Sequence, residues 1–154
     1  MKILIVEDEP STQKLYSCLF GRKSGCTVLF AEDVESSQRL LDEHNDIDVV
    51  TLDGELNNNG RGQDVAEYIV GTVWPRQERA KTERTAFVTL SGMPYEVEGM
   101  SASYCKPDFP SIVLKGGVTA WIAAMKTARP PARPEKKEAM TFDARAMPPL
   151  TPDR

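Results

Sequence analysis

The sequence predicts a doubly wound α/β fold with a parallel sheet, and three observations carry that reading. Short apolar runs alternate with helix-period segments five times across residues 1–127. The helical segments supply the right-handed crossovers that parallel neighbours require. Acidic, hydroxyl and Lys-Pro residues follow directly on the apolar runs. In such a sheet they share one rim, beyond the carboxyl ends of the strands, where ligands bind.

Residues 2–6 (KILIV) read as a buried strand. Pro10, Ser11 and Thr12 open a helix that carries Leu15, Tyr16, Leu19 and Phe20 at helical spacing and ends at Gly21. Residues 26–30 (CTVLF) are the second strand, and a helix from Val34 to His44 follows with Leu40 and Leu41 on its apolar face. Residues 48–52 (DVVTL) are the third strand and end at Asp53. The segment GELNNNGRG has loop composition, and a helix from Gln63 to Val73 carries Val65, Ile69 and Val73. TAFVTL (85–90) is the fourth strand, closed by Ser91 and Gly92. SASYC (101–105) is a weaker fifth strand, closed by Lys106 and Pro107. The last helix is expected from Ser111 to Thr127, with Ile112, Val113, Trp121, Ile122 and Met125 available for burial.

Composition narrows the function. Hydrophobic residues make up 40% of the chain, enough for a packed core. A net charge of −4 gives no electrostatic footprint for nucleic acid. No apolar run is long enough to span a bilayer, and ILIV followed at once by acids is no secretory leader. Cys18, Cys26 and Cys105 form no C-x-x-C pair, so a reducing cytoplasm is expected. His44 is the one histidine, which excludes a multi-histidine metal site. Six of the eleven prolines fall within 130–152. Residues 128–154 therefore read as a proline-rich tail without a core of its own, expected to be disordered. That tail carries a local charge of +2, leaving −6 on the body.

The chemistry concentrates on the rim. Glu7, Asp8 and Asp53 would bring carboxylates together, which is costly unless a cation arrives. A hard divalent ion, most simply Mg²⁺, suits oxygen donors on an open rim. Lys106 adds a positive charge and Ser91 a hydroxyl. Together these groups can stabilise a phosphoryl group on a carboxylate, with Asp53 as nucleophile. Each feature alone is common in solvated turns and helix caps. Their order is not: an acidic pair, an Asp, a hydroxyl and a Lys-Pro close strands one, three, four and five.

Through "ILIVEDEP", "VVTLDGEL", "VTLSG" and "YCKP" the chain resembles the receiver domains of two-component response regulators, over residues 1–127. The resemblance implies a flavodoxin-like strand order, 2-1-3-4-5. It implies that Asp53 accepts a phosphoryl group from a phosphohistidine. It further implies Mg²⁺ held by Asp8 and Asp53, with Glu7 acting through water and the backbone carbonyl of Glu55 contributing. Lys106 and Ser91 would contact the phosphoryl group, and Gly92 would leave room for the donor. The implied partners are a sensor histidine kinase or histidine phosphotransferase and a downstream protein target. No DNA-binding module follows the receiver region, so neither direct DNA contact nor membrane contact is expected. The domain would catalyse its own phosphotransfer and slow dephosphorylation without being an enzyme in the turnover sense.

Several departures stand beside that resemblance. Asn57 replaces the usual proline, and NNNGRG lengthens the loop. The Asp53–Ser91 spacing is longer than usual by about two helical turns. The excess falls in 74–84, either as a surface insertion or as a basic partner contact. Ser91–Lys106 is correspondingly short, so the fourth helix is expected to be short or absent. Ser103 stands where the family often has an aromatic, and strand alternation turns the neighbouring Tyr104 the other way, toward a core role. Two further functions remain open. One is a phosphorylation-independent protein-binding module. The other is an aspartyl-phosphate phosphohydrolase, which Glu55 disfavours because a second Asp is needed there.

Overall fold

The computed structural model describes residues 1–21, 25–77 and 83–128. The tail beyond Ala128 and the middle of the 74–84 segment lie outside the described residues. Five strands form: β1 (Lys2–Val6), β2 (Thr27–Ala31), β3 (Val49–Leu52), β4 (Ala86–Ser91) and β5 (Ala102–Cys105). All neighbours pair in parallel, in the order β2-β1-β3-β4-β5. The doubly wound sheet is therefore as the sequence pattern predicts, and its strand order is the one the resemblance implies.

Strand alternation divides the core into two layers. Ile3 and Ile5 of β1 enter one apolar layer, and Leu4 and Val6 enter the other. Val49, Val88 and Leu90 join the first layer, whereas Val50, Leu52 and Phe87 join the second. Both faces of the sheet are covered, which is why these strands read as continuous apolar runs. Helices α1 (Pro10–Gly21), α5 (Phe109–Gly116) and α6 (Val118–Thr127) cover the first layer through Tyr16, Phe20, Phe109 and Trp121. Helices α2 (Val34–Glu43) and α3 (Gly62–Tyr68) cover the second through Leu41 and Val65. Asp33 caps α2 by accepting the Ser36 N–H at 2.7 Å.

Three stretches depart from the expected elements. The single helix expected over 111–127 is two helices, broken at Gly117 with φ +86° and ψ 151°. A glycine tolerates that positive φ. The third helix does not end at Val73. It passes through a π-helical segment, Ile69–Val73, into α4 (Trp74–Gln77). The first residues of the supposed surface insertion are thus packed structure. Trp74 stacks on Phe87 with ring centroids 5.9 Å apart, and its Nε1 donates to Thr85 O at 2.7 Å. Gln77 is buried. Its Nε2 donates to Thr85 Oγ1 at 2.8 Å and to Asn45 O at 3.2 Å, while its Oε1 accepts the Thr85 N–H at 3.0 Å.

The third departure was anticipated. No helix forms between β4 and β5 among residues 92–101. Val97 and Met100 from this connection pack into the second layer. Gly99, at φ +89°, lies so close that a Cβ there would stand 2.9 Å from Trp74 and 3.0 Å from Val70. The two length anomalies therefore offset each other: the prolonged third crossover fills space beside β4 that the short fourth connection does not. Tyr104 packs among Phe109 and Trp121, with its hydroxyl 3.3 Å from Trp121 Nε1, and serves the core.

Replacing Gln77 with Ala leaves the Thr85 N–H without its buried acceptor and removes the hydrogen bond that the Thr85 hydroxyl accepts, while that hydroxyl still donates to Ile47 O. The loss is expected to be about 2 kcal/mol, read as a lower urea midpoint with an unchanged slope. A wild-type midpoint would contradict the packed role of the 74–77 turn.

Candidate functional site

Parallel register builds the site. Val6 pairs with Leu52, so Glu7 and Asp53 leave the sheet as neighbours, and the Asp53 N–H donates to Val6 O at 3.1 Å. From β1 the chain turns to β2 on one side and later crosses to β3 on the other. The pair therefore sits at the switch in strand order. Carboxylate oxygens of Glu7, Asp8 and Asp53 lie within 4.8 Å of one another. Glu7 is 1% exposed and Asp53 9%.

Lys106 joins this cluster from two strands away, a gap of about 10 Å that only a long side chain spans. Its own N–H donates to Ser91 O at 3.0 Å, which fixes where the side chain starts. The ammonium donates to Asp53 Oδ2 at 2.8 Å and lies 2.8 Å from Glu7 Oε2. The remaining Asp53 oxygen, Oδ1, accepts the Gly54 N–H at 2.7 Å.

One cation does not neutralise three carboxylates. Burial pushes the Glu7 carboxyl above its ordinary value of 4.5; the Lys106 hydrogen bond opposes this and the Asp53 charge adds to it. Burial works against the Lys106 charge, but hydrogen bonds to Asp53 and Glu7 outweigh it and hold the ammonium well above the usual lysine range. The lysine is thus firmly charged.

The structure brings every predicted site residue to one place. Ser91, Gly92 and Glu55 line the same open cleft, of about 450 Å³, as Glu7, Asp8, Asp53 and Lys106. Glu55 is exposed. A Cβ added at Gly92 would meet nothing, so that side of the cleft is open. Glu9 behaves differently from its two neighbours. Its carboxylate accepts from Ser11 Oγ at 2.6 Å and Thr12 Oγ1 at 3.0 Å, at the start of α1. The acidic triplet therefore divides: all three line the cleft, but only Glu7 and Asp8 join the carboxylate cluster with Asp53, while the Glu9 carboxylate is held by the start of the helix.

Two residues escaped the sequence reading. The Tyr95 hydroxyl donates to the carbonyls of Leu52 at 3.0 Å and Asp53 at 3.1 Å. Burial, and then the Asp53 charge, push its phenol well above the ordinary 10.0, so it stays a donor at neutral pH. Gly62 is its counterpart: a Cβ there would lie 2.1 Å from the Asp53 carbonyl oxygen and 2.3 Å from Tyr95 Oη. The available signal was an aromatic inside a Gly- and Pro-containing loop, and a glycine at the end of the lengthened loop. The donor set fits a hard cation. It is all oxygen, it carries excess negative charge, and it faces an open cleft where such an ion keeps its waters.

No protein-family model matches the chain, and no curated protein matches it. Solved structures do. It is similar to the N-terminal domain of a response regulator/sensory box/GGDEF 3-domain protein from Carboxydothermus hydrogenoformans, with 20% identity and a TM-score of 0.59, over 80% of this chain and 94% of that one. It is equally similar to the receiver domain of a sensor histidine kinase from Pseudomonas aeruginosa, a structure with a magnesium ion coordinated in its active-site cleft. There the identity is 20% and the TM-score 0.59, over 79% of this chain and 96% of that one. The BeF3-activated N-terminal receiver domain of RstA from Klebsiella pneumoniae matches at 18% identity and TM-score 0.59, covering 79% and 98%. The chain thus has the receiver fold.

Gly62→Ala forces a methyl group into the acceptor backbone. We expect a loss of about 3 kcal/mol and a fall in thermal midpoint of about 10 °C. A fall of less than about 2 °C would show that the loop has room to relax.

Proposed function

We propose that the protein is a phosphoacceptor receiver that takes a phosphoryl group onto Asp53 from the phosphohistidine of a sensor kinase or histidine phosphotransferase. One observation carries the reading: Lys106 bridges Glu7 and Asp53 at 2.8 Å each, within an acidic cluster at the switch in strand order. The receiver fold of solved neighbours supports it.

Asp53 attacks phosphorus through a carboxylate oxygen. The bond from phosphorus to the donor imidazole breaks, and its electron pair leaves with the imidazole. Asp8 and Asp53, with the Glu55 carbonyl and with Glu7 through water, would hold Mg²⁺. When bound, that ion neutralises the carboxylates and a phosphoryl oxygen. Lys106 moves from the Asp53 carboxylate to the phosphoryl group, exchanging one charge-assisted hydrogen bond for another. The Ser91 hydroxyl has no partner among the described residues. It gains one when the phosphoryl oxygens arrive. The added charge and acceptors bias the surface around β4 and β5 toward a second state. Output is then by protein–protein contact, in the cytoplasm. No described helix is long and apolar enough to cross a membrane.

The helix-free connection between β4 and β5 favours a second reading, a binding module that works without phosphorylation. Incubation with Mg²⁺ and acetyl phosphate, followed by intact mass, separates the two. The acceptor reading expects one phosphoryl group on wild type and none on Asp53→Asn. No gain in wild type would leave the binding module.

A further inference from the structure

We propose that Tyr95 is a positioning residue for the acceptor, pinning the Asp53 backbone and tying it to β4 and β5. The proposal rests on the reading of Asp53 as phosphoacceptor and adds no covalent step to it. Tyr95 comes from the connection after β4, yet its hydroxyl reaches the end of β3. There it is shared between the carbonyls of Leu52 at 3.0 Å and Asp53 at 3.1 Å. These are the carbonyls on either side of the acceptor's own N–H. The peptide that aims the carboxylate is therefore held from outside its own strand.

The surroundings are built around this ring. The missing Cβ of Gly62 leaves the space that the phenol oxygen and the Asp53 carbonyl fill, with clash distances of 2.3 Å and 2.1 Å. On the other side, a Cβ at Gly54 would stand 3.4 Å from the Tyr95 ring and 3.2 Å from Ser91 Oγ. The ring and the Ser91 hydroxyl thus both lie against the acceptor loop at Gly54.

The main chain of Tyr95 is anchored as well. Its carbonyl accepts from Thr89 Oγ1 at 2.7 Å and from Ser103 Oγ at 2.9 Å. Thr89 and Ser103 are register partners on β4 and β5, so both hydroxyls meet one carbonyl from adjacent strands. Tyr95 therefore connects three strands: the end of β3 through its side chain, and β4 and β5 through its backbone. A backbone shift at Asp53 pulls on the phenol, and the phenol's own residue is bonded to the strands that border the output surface. Ser103, too short to reach the acceptor itself, becomes part of this path through its hydroxyl.

The test uses the full chain and Tyr95→Phe, which keeps the ring and removes the hydroxyl. With Mg²⁺ and acetyl phosphate, the variant is expected to gain its phosphoryl group about tenfold more slowly, because the acceptor backbone is no longer held. With Mg²⁺ and beryllofluoride, amide resonances of Gly54, Thr89 and Ser103 are expected to shift in wild type. In Tyr95→Phe the Gly54 shift remains, while those of Thr89 and Ser103 shrink by at least half. A merely structural tyrosine would not separate the two groups of resonances. Wild-type rates together with wild-type shifts in the variant would overturn the positioning role alone. A wild type that takes up no phosphoryl group would instead overturn the acceptor reading, and the positioning role with it. An urea midpoint for each protein shows that both are folded under the conditions used.

Discussion

Lys106 sits between Glu7 and Asp53 because parallel pairing leaves two buried carboxylates side by side at the ends of β1 and β3. Neither acid has room to turn away: Glu7 is 1% exposed and Asp53 9%. Two desolvated like charges repel strongly, and removing either partner of a buried pair is costly. The ammonium relieves that repulsion only in part, since Asp8 adds a third carboxylate within 4.8 Å. The site is thus left with a surplus of negative charge and an open side. Those two properties make it a place for a divalent ion and a phosphoryl group.

The rest of the fold keeps those strand ends in place. Between β3 and β4 the chain spends more residues than a single short helix needs, and Trp74–Gln77, the described start of that surplus, is packed. Trp74 covers Phe87, and Gln77 ties the end of the crossover to Thr85 at the entry to β4. Between β4 and β5 the chain spends fewer. Gly99 lets the connection run flat against Trp74 and Val70, and Met100 closes the layer. Without a helix in this crossover, Tyr95 lies near enough to the sheet edge to reach the Asp53 carbonyl. The irregular connection and the acceptor geometry are consequences of the same shortened segment.

Much of this was legible because it depends on short-range pattern. KILIV, DVVTL and TAFVTL carry apolar residues on both faces, and that implies a sheet covered on both sides. Once the strands are parallel, Glu7, Asp53, Ser91 and Lys106 must share a rim, wherever the helices fall. What escaped depends on contacts distant in sequence. Trp74 and Gln77 looked like a surface insertion because their partners, Phe87 and Thr85, lie beyond a charged stretch. Gly117 was passed over inside an otherwise helical pattern, where a glycine is often tolerated. Tyr95 was hidden by its setting: nothing in a Gly- and Pro-containing loop says that a phenol 42 residues away bonds to the Asp53 carbonyl. Glu9 could be assigned to the helix only once Ser11 and Thr12 were seen to hold it.

The central claim is that Lys106 and a divalent cation draw on the same carboxylates. Calorimetric titration of Mg²⁺ into wild type and Lys106→Met, at fixed pH and low ionic strength, tests it most directly. The account predicts a single site in both, with affinity about tenfold tighter in the variant, because a competing positive charge within a few ångströms has been removed. No binding in either protein, or equal affinities in the two, would contradict it.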